Sequence, residues 1–188
     1  MQQLSTTPAA GQTPMPLIHG SNPLGRQILT FTLGMRSSDS EPASTDYATD
    51  YGIDLADVQE IRGYTHATPI PNTPPYIKGA INLRGAVIPI IDLRIRFGVS
   101  SPQYTKFTVV IVVCIGGKTV GLVADGVSDV LSLRLEEIMA PPDFGGANGT
   151  DCVDGIATVE AKLVLMLNLR KMLAPDGLAD PEAIQDRD

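Results

Sequence analysis

The chain has 188 residues, 43% of them hydrophobic, and a formal net charge of −7, which is the size and apolar content of one compact domain with a genuine core. Its acids are concentrated: Arg36–Asp50 carries four acids and one base, and Pro175–Asp188 carries five acids and one base, so the remainder is neutral. A neutral body with acidic appendages lacks the basic footprint that phosphate requires, which excludes nucleic acid and anionic membrane surfaces as partners.

Residues 1–26 open the chain with Pro, Thr, Gln and Ser and no hydrophobic period, and are expected to form a flexible lead. They hold neither the basic nor the continuous apolar region of a secretory signal, which makes the cytoplasm the expected compartment. The most apolar run, Val109–Ile115, is of strand length and far short of the roughly 18 residues a bilayer span needs.

Gln27–Leu33 puts Leu29, Phe31 and Leu33 on one face and Ile28, Thr30 and Thr32 on the other, the period of a strand. Residues 36–50, acidic and Ser-rich, read as an inserted surface loop before the pattern resumes at Tyr51. Asp54 is placed to cap a short helical turn that leads into a strand at Gln59–Ile61. Pro69, Pro71, Pro74 and Pro75 force an extended crossing. Two apolar runs, Ile77–Leu83 and Ala86–Ile91, flank Arg84-Gly85 and predict a tight hairpin, after which Asp92 caps a turn ended by Gly98.

Phe107–Ile115, Lys118–Ala124 and Val127–Leu133 read as a three-stranded meander, and Cys114 within the first as a small buried hydrophobe. A glycine-rich loop over residues 140–150 precedes a last hairpin, Val153–Val159 with Lys162–Asn168, and a helical turn at Leu169–Leu173. About ten short strands with frequent turn signals predict an all-β fold of two small barrels side by side, divided at the polyproline crossing and at residues 98–104.

Catalytic constellations are missing from this pattern. The two histidines are His19, in the lead, and His66, which reads as an exposed side chain with no adjacent carboxylate to orient it. Two distant cysteines, Cys114 and Cys152, and two distant histidines give no metal site, and no nucleotide or hydrolase motif occurs. Asp125, Asp129, Asp151 and Asp154 flank turns without the spacing of a calcium loop, which suits backbone-bonding aspartates. Glu136 and Glu137 read as a solvated pair. No enzyme activity, cofactor or metal is expected, and a binding module is.

The segment Gly79-Ala80-Ile81-Asn82-Leu83-Arg84-Gly85, followed by Ile88-Pro89-Ile90-Ile91-Asp92-Leu93, resembles the signature of the CheW family. Tyr51-Gly52-Ile53-Asp54 with Val58-Gln59-Glu60-Ile61-Arg62-Gly63, then Gly121–Leu131, then Gly155–Val159, agree with that family in order and spacing. The resemblance covers residues 27–174. It implies a fold of two five-stranded SH3-like β-barrels packed side by side, and a coupling protein that links the cytoplasmic hairpin tip of a methyl-accepting chemoreceptor to the regulatory domain of the histidine kinase CheA. The receptor tip would lie in a groove between the barrels and the kinase would pack barrel against barrel, in arrays at the membrane.

By motif, the resemblance places Val58, Glu60 and Arg84 at partner-coupling positions and Gly79 and Gly85 at backbone-shaping ones. An apolar Val58 beside a charged Glu60 on alternate positions suits an anchor with a polar rim, and Arg84 at a turn suits pairing with a carboxylate or a helix C-terminal carbonyl on the receptor. Two departures stand out: the 36–50 insertion, and Asn168 in the last strand where family members often have an acid. The same resemblance admits an adaptor for pilus or surface motility. A small-ligand-binding barrel or an enzyme using the groove would need convergent titratable groups that the sequence does not provide.

Overall fold

Eleven strands form two sheets among the residues described by the computed structural model, 25–34, 48–141 and 152–176. The expected flexible lead, most of the 36–50 insertion, most of the 140–150 loop and the acidic tail lie outside these residues. The strands are β1 (Gly25–Gly34), β2 (Ala48–Asp54), β3 (Val58–Gly63), β4 (Ile77–Leu83), β5 (Ala86–Asp92), β6 (Val109–Ile115), β7 (Lys118–Ala124), β8 (Gly126–Arg134), β9 (Ile138–Met139), β10 (Val153–Val159) and β11 (Lys162–Leu167), with short helices α1 (Leu93–Arg96) and α2 (Leu169–Leu173). One sheet has the order β8-β1-β2-β11-β10-β9 and the other β3-β6-β7-β5-β4. The all-β architecture in two halves is as the pattern predicts.

Alternation in each strand assigns its residues to cores. Leu29, Phe31 and Leu33 of β1 join Ile53, Ile111, Val113 and Leu122 in the large cluster between the sheets, while Ile28 turns to the first sheet's own cluster with Leu133, Ala157, Val164 and Met166. Val110 and Val112 of β6 likewise serve the second sheet's cluster with Ile88, Ile90 and Val123, and Ile111 and Val113 serve the shared one. β6 is buried on both faces, and so its sequence is a continuous apolar run. Phe31, Tyr51 and Phe97 stack in series across the shared core, at 6.1 and 5.3 Å between centroids.

Three expectations are corrected. The meander does not hold, because β6 and β7 pair with each other whereas β8 leaves them and pairs with β1 in the other sheet. The halves divide not at the prolines or at residues 98–104 but at the turn Leu55–Asp57 and at Asp125, so β3 to β7 form one sheet and the two ends of the chain form the other. Cys114 is half-buried; the buried cysteine is Cys152, in the shared core. At the boundaries, β1 begins at Gly25 and β2 at Ala48, so the last residues assigned to the insertion are strand.

The two sheets are built from one repeated unit. Gly79, Arg84, Gly85, Asp92, Leu93 and Arg94 fall at a constant offset from Gly155, Glu160, Ala161, Asn168, Leu169 and Arg170, and the structures agree position by position. Each hairpin carries its register shift at the same place, between Ile77 and Gly79 and between Val153 and Gly155. Each second strand then runs parallel to a neighbour, β5 to β7 and β11 to β2, and ends in a short helix capped by the side chain of Asp92 or Asn168. Asn168 is therefore the cap of α2 and not a residue of the last strand. Each sheet is also closed alike: the chain just past β3 pairs with β4 through Thr68 and Ala80, and the chain just past β8 pairs with β10 through β9.

Candidate partner-binding surface

Arg84 and Gly85 form the two-residue tip of the β4–β5 hairpin, with φ of 51° and 92°. Both values lie in the left-handed region, as a turn that matches the strand twist demands, and the Gly85 N–H donates to Asn82 Oδ1 at 2.8 Å to close it. The tip holds the Arg84 side chain 82% exposed, where its guanidinium donates to the carboxylate of Glu60 on β3. Glu60 is much less exposed, at 23%.

A bulge in β3 explains how Val58 and Glu60 share one short strand. Val58 lies opposite Val113, of the shared core, and Glu60 opposite Val112, of the second sheet's own cluster, with the register shift between them. The two side chains consequently leave opposite faces. Val58 packs half-buried on the rim of the shared core, and Ile61, opposite Ile111, extends that rim outward at 44% exposure. The structure thus brings Glu60 and Arg84 together and sets Val58 apart from them.

The first sheet has a matching rim on its end strand β8, which the sequence alone does not reveal. Val127 on β8 lies opposite Phe31 and Val130 opposite Leu29, both shared-core residues, and their exposures are 37% and 45%. Val127 and Val130 belong to a β-branched run that reads as core, whereas Ile61 is flanked by Glu60 and Arg62; for all three only the pairing register shows that the side chain emerges beside the shared cluster.

Gly79 shapes the backbone by close approach. Its φ is 129°, and a Cβ there would stand 2.0 Å from the Thr68 carbonyl oxygen, at the bridge that closes the second sheet. Gly85 has open space around it and is held to its conformation by φ alone.

Beside this surface lies a buried ionic cluster. Arg94, 1% exposed, donates from Nε and Nη2 to both oxygens of the fully buried Asp92, at 2.9 and 2.7 Å. Its Nη1 donates to Asp125 Oδ1 and to the Gln103 carbonyl, each at 2.7 Å. The Tyr104 hydroxyl donates to Asp92 at 2.7 Å while its ring stacks under the guanidinium, 4.6 Å away, and against Tyr64, 4.5 Å between centroids. Burial alone pulls the Arg94 pKa down, but bonds to Asp92 and Asp125 outweigh it and raise it. Burial, and then the bond to Asp92, raise the Tyr104 phenol.

The turn aspartates act as hydrogen-bonding groups. Asp125 Oδ2 accepts from the Gly34 N–H at 2.7 Å and Asp129 Oδ1 from the Val130 N–H at 2.7 Å. Asp154 accepts from Lys171 Nζ at 2.7 Å; burial opposes its charge, but Lys171 and Asn168 hold its carboxyl below the usual carboxylate range. Glu137 caps the Arg134 N–H at 2.7 Å, and Arg134 also pairs with Glu136. His66 is exposed, edge-on to Tyr64. Asp151 lies outside the described residues. Among those residues no helix is long and apolar enough to cross a membrane.

Paired sheets made from one repeated hairpin-and-turn unit, with apolar rims beside a shared core, define a protein-binding scaffold. A family model described as the CheW-like domain matches residues 27–176. The chain is 41% identical over 156 residues to a chemotaxis protein CheW of Klebsiella aerogenes, an alignment covering 83% of this chain and 86% of that one. With a chemotaxis protein CheW of Rhizobium meliloti it is 34% identical over 145 residues, covering 77% and 85%. The crystal structure of the scaffolding protein TtCheW from Thermoanaerobacter tengcongensis is similar to it with a TM-score of 0.65 at 33% identity, covering 77% of this chain and 89% of that chain. The chain belongs to the CheW family of chemotaxis coupling adaptors.

Proposed function

We propose that residues 27–174 act as a non-catalytic coupler that joins the cytoplasmic hairpin tip of a methyl-accepting chemoreceptor to the regulatory domain of a CheA-type histidine kinase, in arrays on the cytoplasmic side of the membrane. In this reading Val58 and Ile61 give the receptor tip an apolar anchor, and the Glu60–Arg84 pair supplies the polar rim. The observation that carries it is the bulge in β3, which turns Val58 to the shared-core rim while leaving Glu60 for the hairpin arginine. A helical tip presents apolar ridges and terminal carbonyls, which match such a rim in kind. The kinase is assigned to the sheet surfaces away from this rim. Individually weak contacts of this size gain avidity when both partners are multiply tethered.

The test is a pull-down of the purified chain with a CheA-type kinase and a soluble receptor signalling fragment, together and separately. Capture of each alone, and receptor-stimulated phosphorylation that depends on the chain, are the expected results. Capture of neither overturns the reading, as does turnover of a metabolite by the chain alone.

A further inference from the structure

The repeat contains its own control experiment. Asp92 and Arg94 of one unit correspond to Asn168 and Arg170 of the other, yet Arg94 is buried at 1% while Arg170 is exposed. The same backbone unit therefore folds without a buried arginine. Burying a guanidinium and the Asp92 carboxylate carries a desolvation cost that apolar packing would avoid, so stability alone does not account for the cluster. What distinguishes Arg94 is its reach. The residue belongs to α1, which packs against β5 and β7 of the second sheet and β1 of the first, and its guanidinium holds Asp125. Asp125 is the single residue between β7 and β8, where the chain passes from the second sheet to the first. Its other carboxylate oxygen accepts from the Gly34 N–H, and its own N–H donates to the Thr32 carbonyl at 3.1 Å, both on β1 of the first sheet. One carboxylate is thus gripped from both halves.

We propose that Arg94 and Asp125 are positioning residues: they form the joint that fixes the β7–β8 crossing, and with it the exposed Val127 and Val130 of β8, against the second sheet. Asp92 and Tyr104 hold the arginine for this task, since both guanidinium edges are occupied and its face is stacked. Partner docking depends on the joint because the two rims, Val58 with Ile61 and Val127 with Val130, sit on different sheets. That dependence rests on the adaptor reading above, whereas the joint is a property of the chain by itself.

Native-state amide exchange on the full chain, paired with binding of a receptor signalling fragment, tests this. Asp125→Asn keeps the size and removes the charge. Exchange at Gly34, Asp125 and Asp129 is expected to quicken about tenfold while Ile111 and Leu122 stay protected, and fragment affinity is expected to fall several-fold. Arg170→Gln, at the equivalent exposed position, is expected to change neither. Unchanged exchange in Asp125→Asn, or the same quickening in Arg170→Gln, overturns the proposal. If Asp125→Asn does not fold, Tyr104→Phe removes one bond to Asp92 and leaves both ion pairs; it is expected to quicken the same three amides more mildly, and no change there overturns the joint. Should the unmodified chain bind no receptor fragment, the adaptor reading falls while the exchange result still decides the joint.

Discussion

Arg84, at the tip of the β4–β5 hairpin, donates to the carboxylate of Glu60 on β3, so an ion pair joins strands that stand at opposite ends of their sheet's order. A pair whose arginine is 82% exposed contributes little to folding, on the order of 0.2–1 kcal/mol. Arg84→Glu is accordingly expected to leave the circular dichroism spectrum intact and the melting temperature within a few degrees, while receptor-stimulated kinase activity falls at least several-fold. A collapse of the fold would show that the arginine is structural. Pairing Glu60→Arg with Arg84→Glu is expected to restore the ion pair without restoring activity.

The two shaping glycines separate by mechanism. A Cβ at Gly79 would collide with the Thr68 carbonyl at 2.0 Å, so Gly79→Ala must break the bridge that closes the second sheet and is expected to lower stability by more than about 3 kcal/mol. Gly85→Ala meets nothing and bears only the conformational penalty of positive φ, about 1–2 kcal/mol. Urea denaturation of the two variants side by side measures the difference.

Much of this architecture was legible in the amino acids, and the part that was not has a common cause. The β4–β5 hairpin could be placed to the residue because Arg84-Gly85 between apolar runs is local turn chemistry, and Asp54 and Asp92 could be named as caps for the same reason. Pairing between distant segments leaves no such trace. β8 has the same β-branched character whether it continues a meander or crosses to β1, so its sheet could not be read from composition. Arg94, in a short polar-looking turn, has the profile of a surface residue, and its burial follows from Asp125 arriving from thirty-one positions away. One signal did exist: aligning Asp92-Leu93-Arg94 with Asn168-Leu169-Arg170 exposes the internal repeat and the asymmetry at the arginine, whereas the rim on β8 shows only in the strand pairing, because the same offset carries Val58 and Ile61 to Arg134 and Glu137.

Alkaline pH is expected to loosen the fold in a defined direction. Burial and the bond to Asp92 raise the Tyr104 phenol above its ordinary 10.0, and burial raises Tyr51 and Tyr64 as well. Groups whose folded pKa is raised stabilise fully below the unfolded value and lose that contribution as pH climbs toward the folded one. The tyrosines' contribution to stability is therefore expected to be intact below a pH of about 10 and to fall above it. Tyrosinate absorbance in the native chain should lag that of the denatured chain, and Tyr104→Phe should flatten the fall.

Exposed and buried apolar residues are expected to part company under mutation. Leu122, wholly buried in the shared core, should cost about 2–5 kcal/mol when truncated to alanine. Ile61→Ala and Val130→Ala remove side chains nearly half exposed and should change stability by about 0.5–1 kcal/mol at most, yet weaken capture of the receptor fragment. Thermal melts and pull-downs on the same three variants check both halves of this statement.

Closure of both sheets by the short bridges at Thr68–Ala80 and β9–β10 has a consequence for life in a crowd. An open strand edge is a template on which any neighbouring chain can add its own backbone, a hazard that grows with local concentration. Here Thr68 covers part of the β4 edge and Ile138–Met139 part of the β10 edge, so each sheet offers a shorter stretch of open backbone to a neighbour than its strand lengths allow. Where a neighbour meets this chain along those stretches, the contact falls to side chains, which can be specific and can let go.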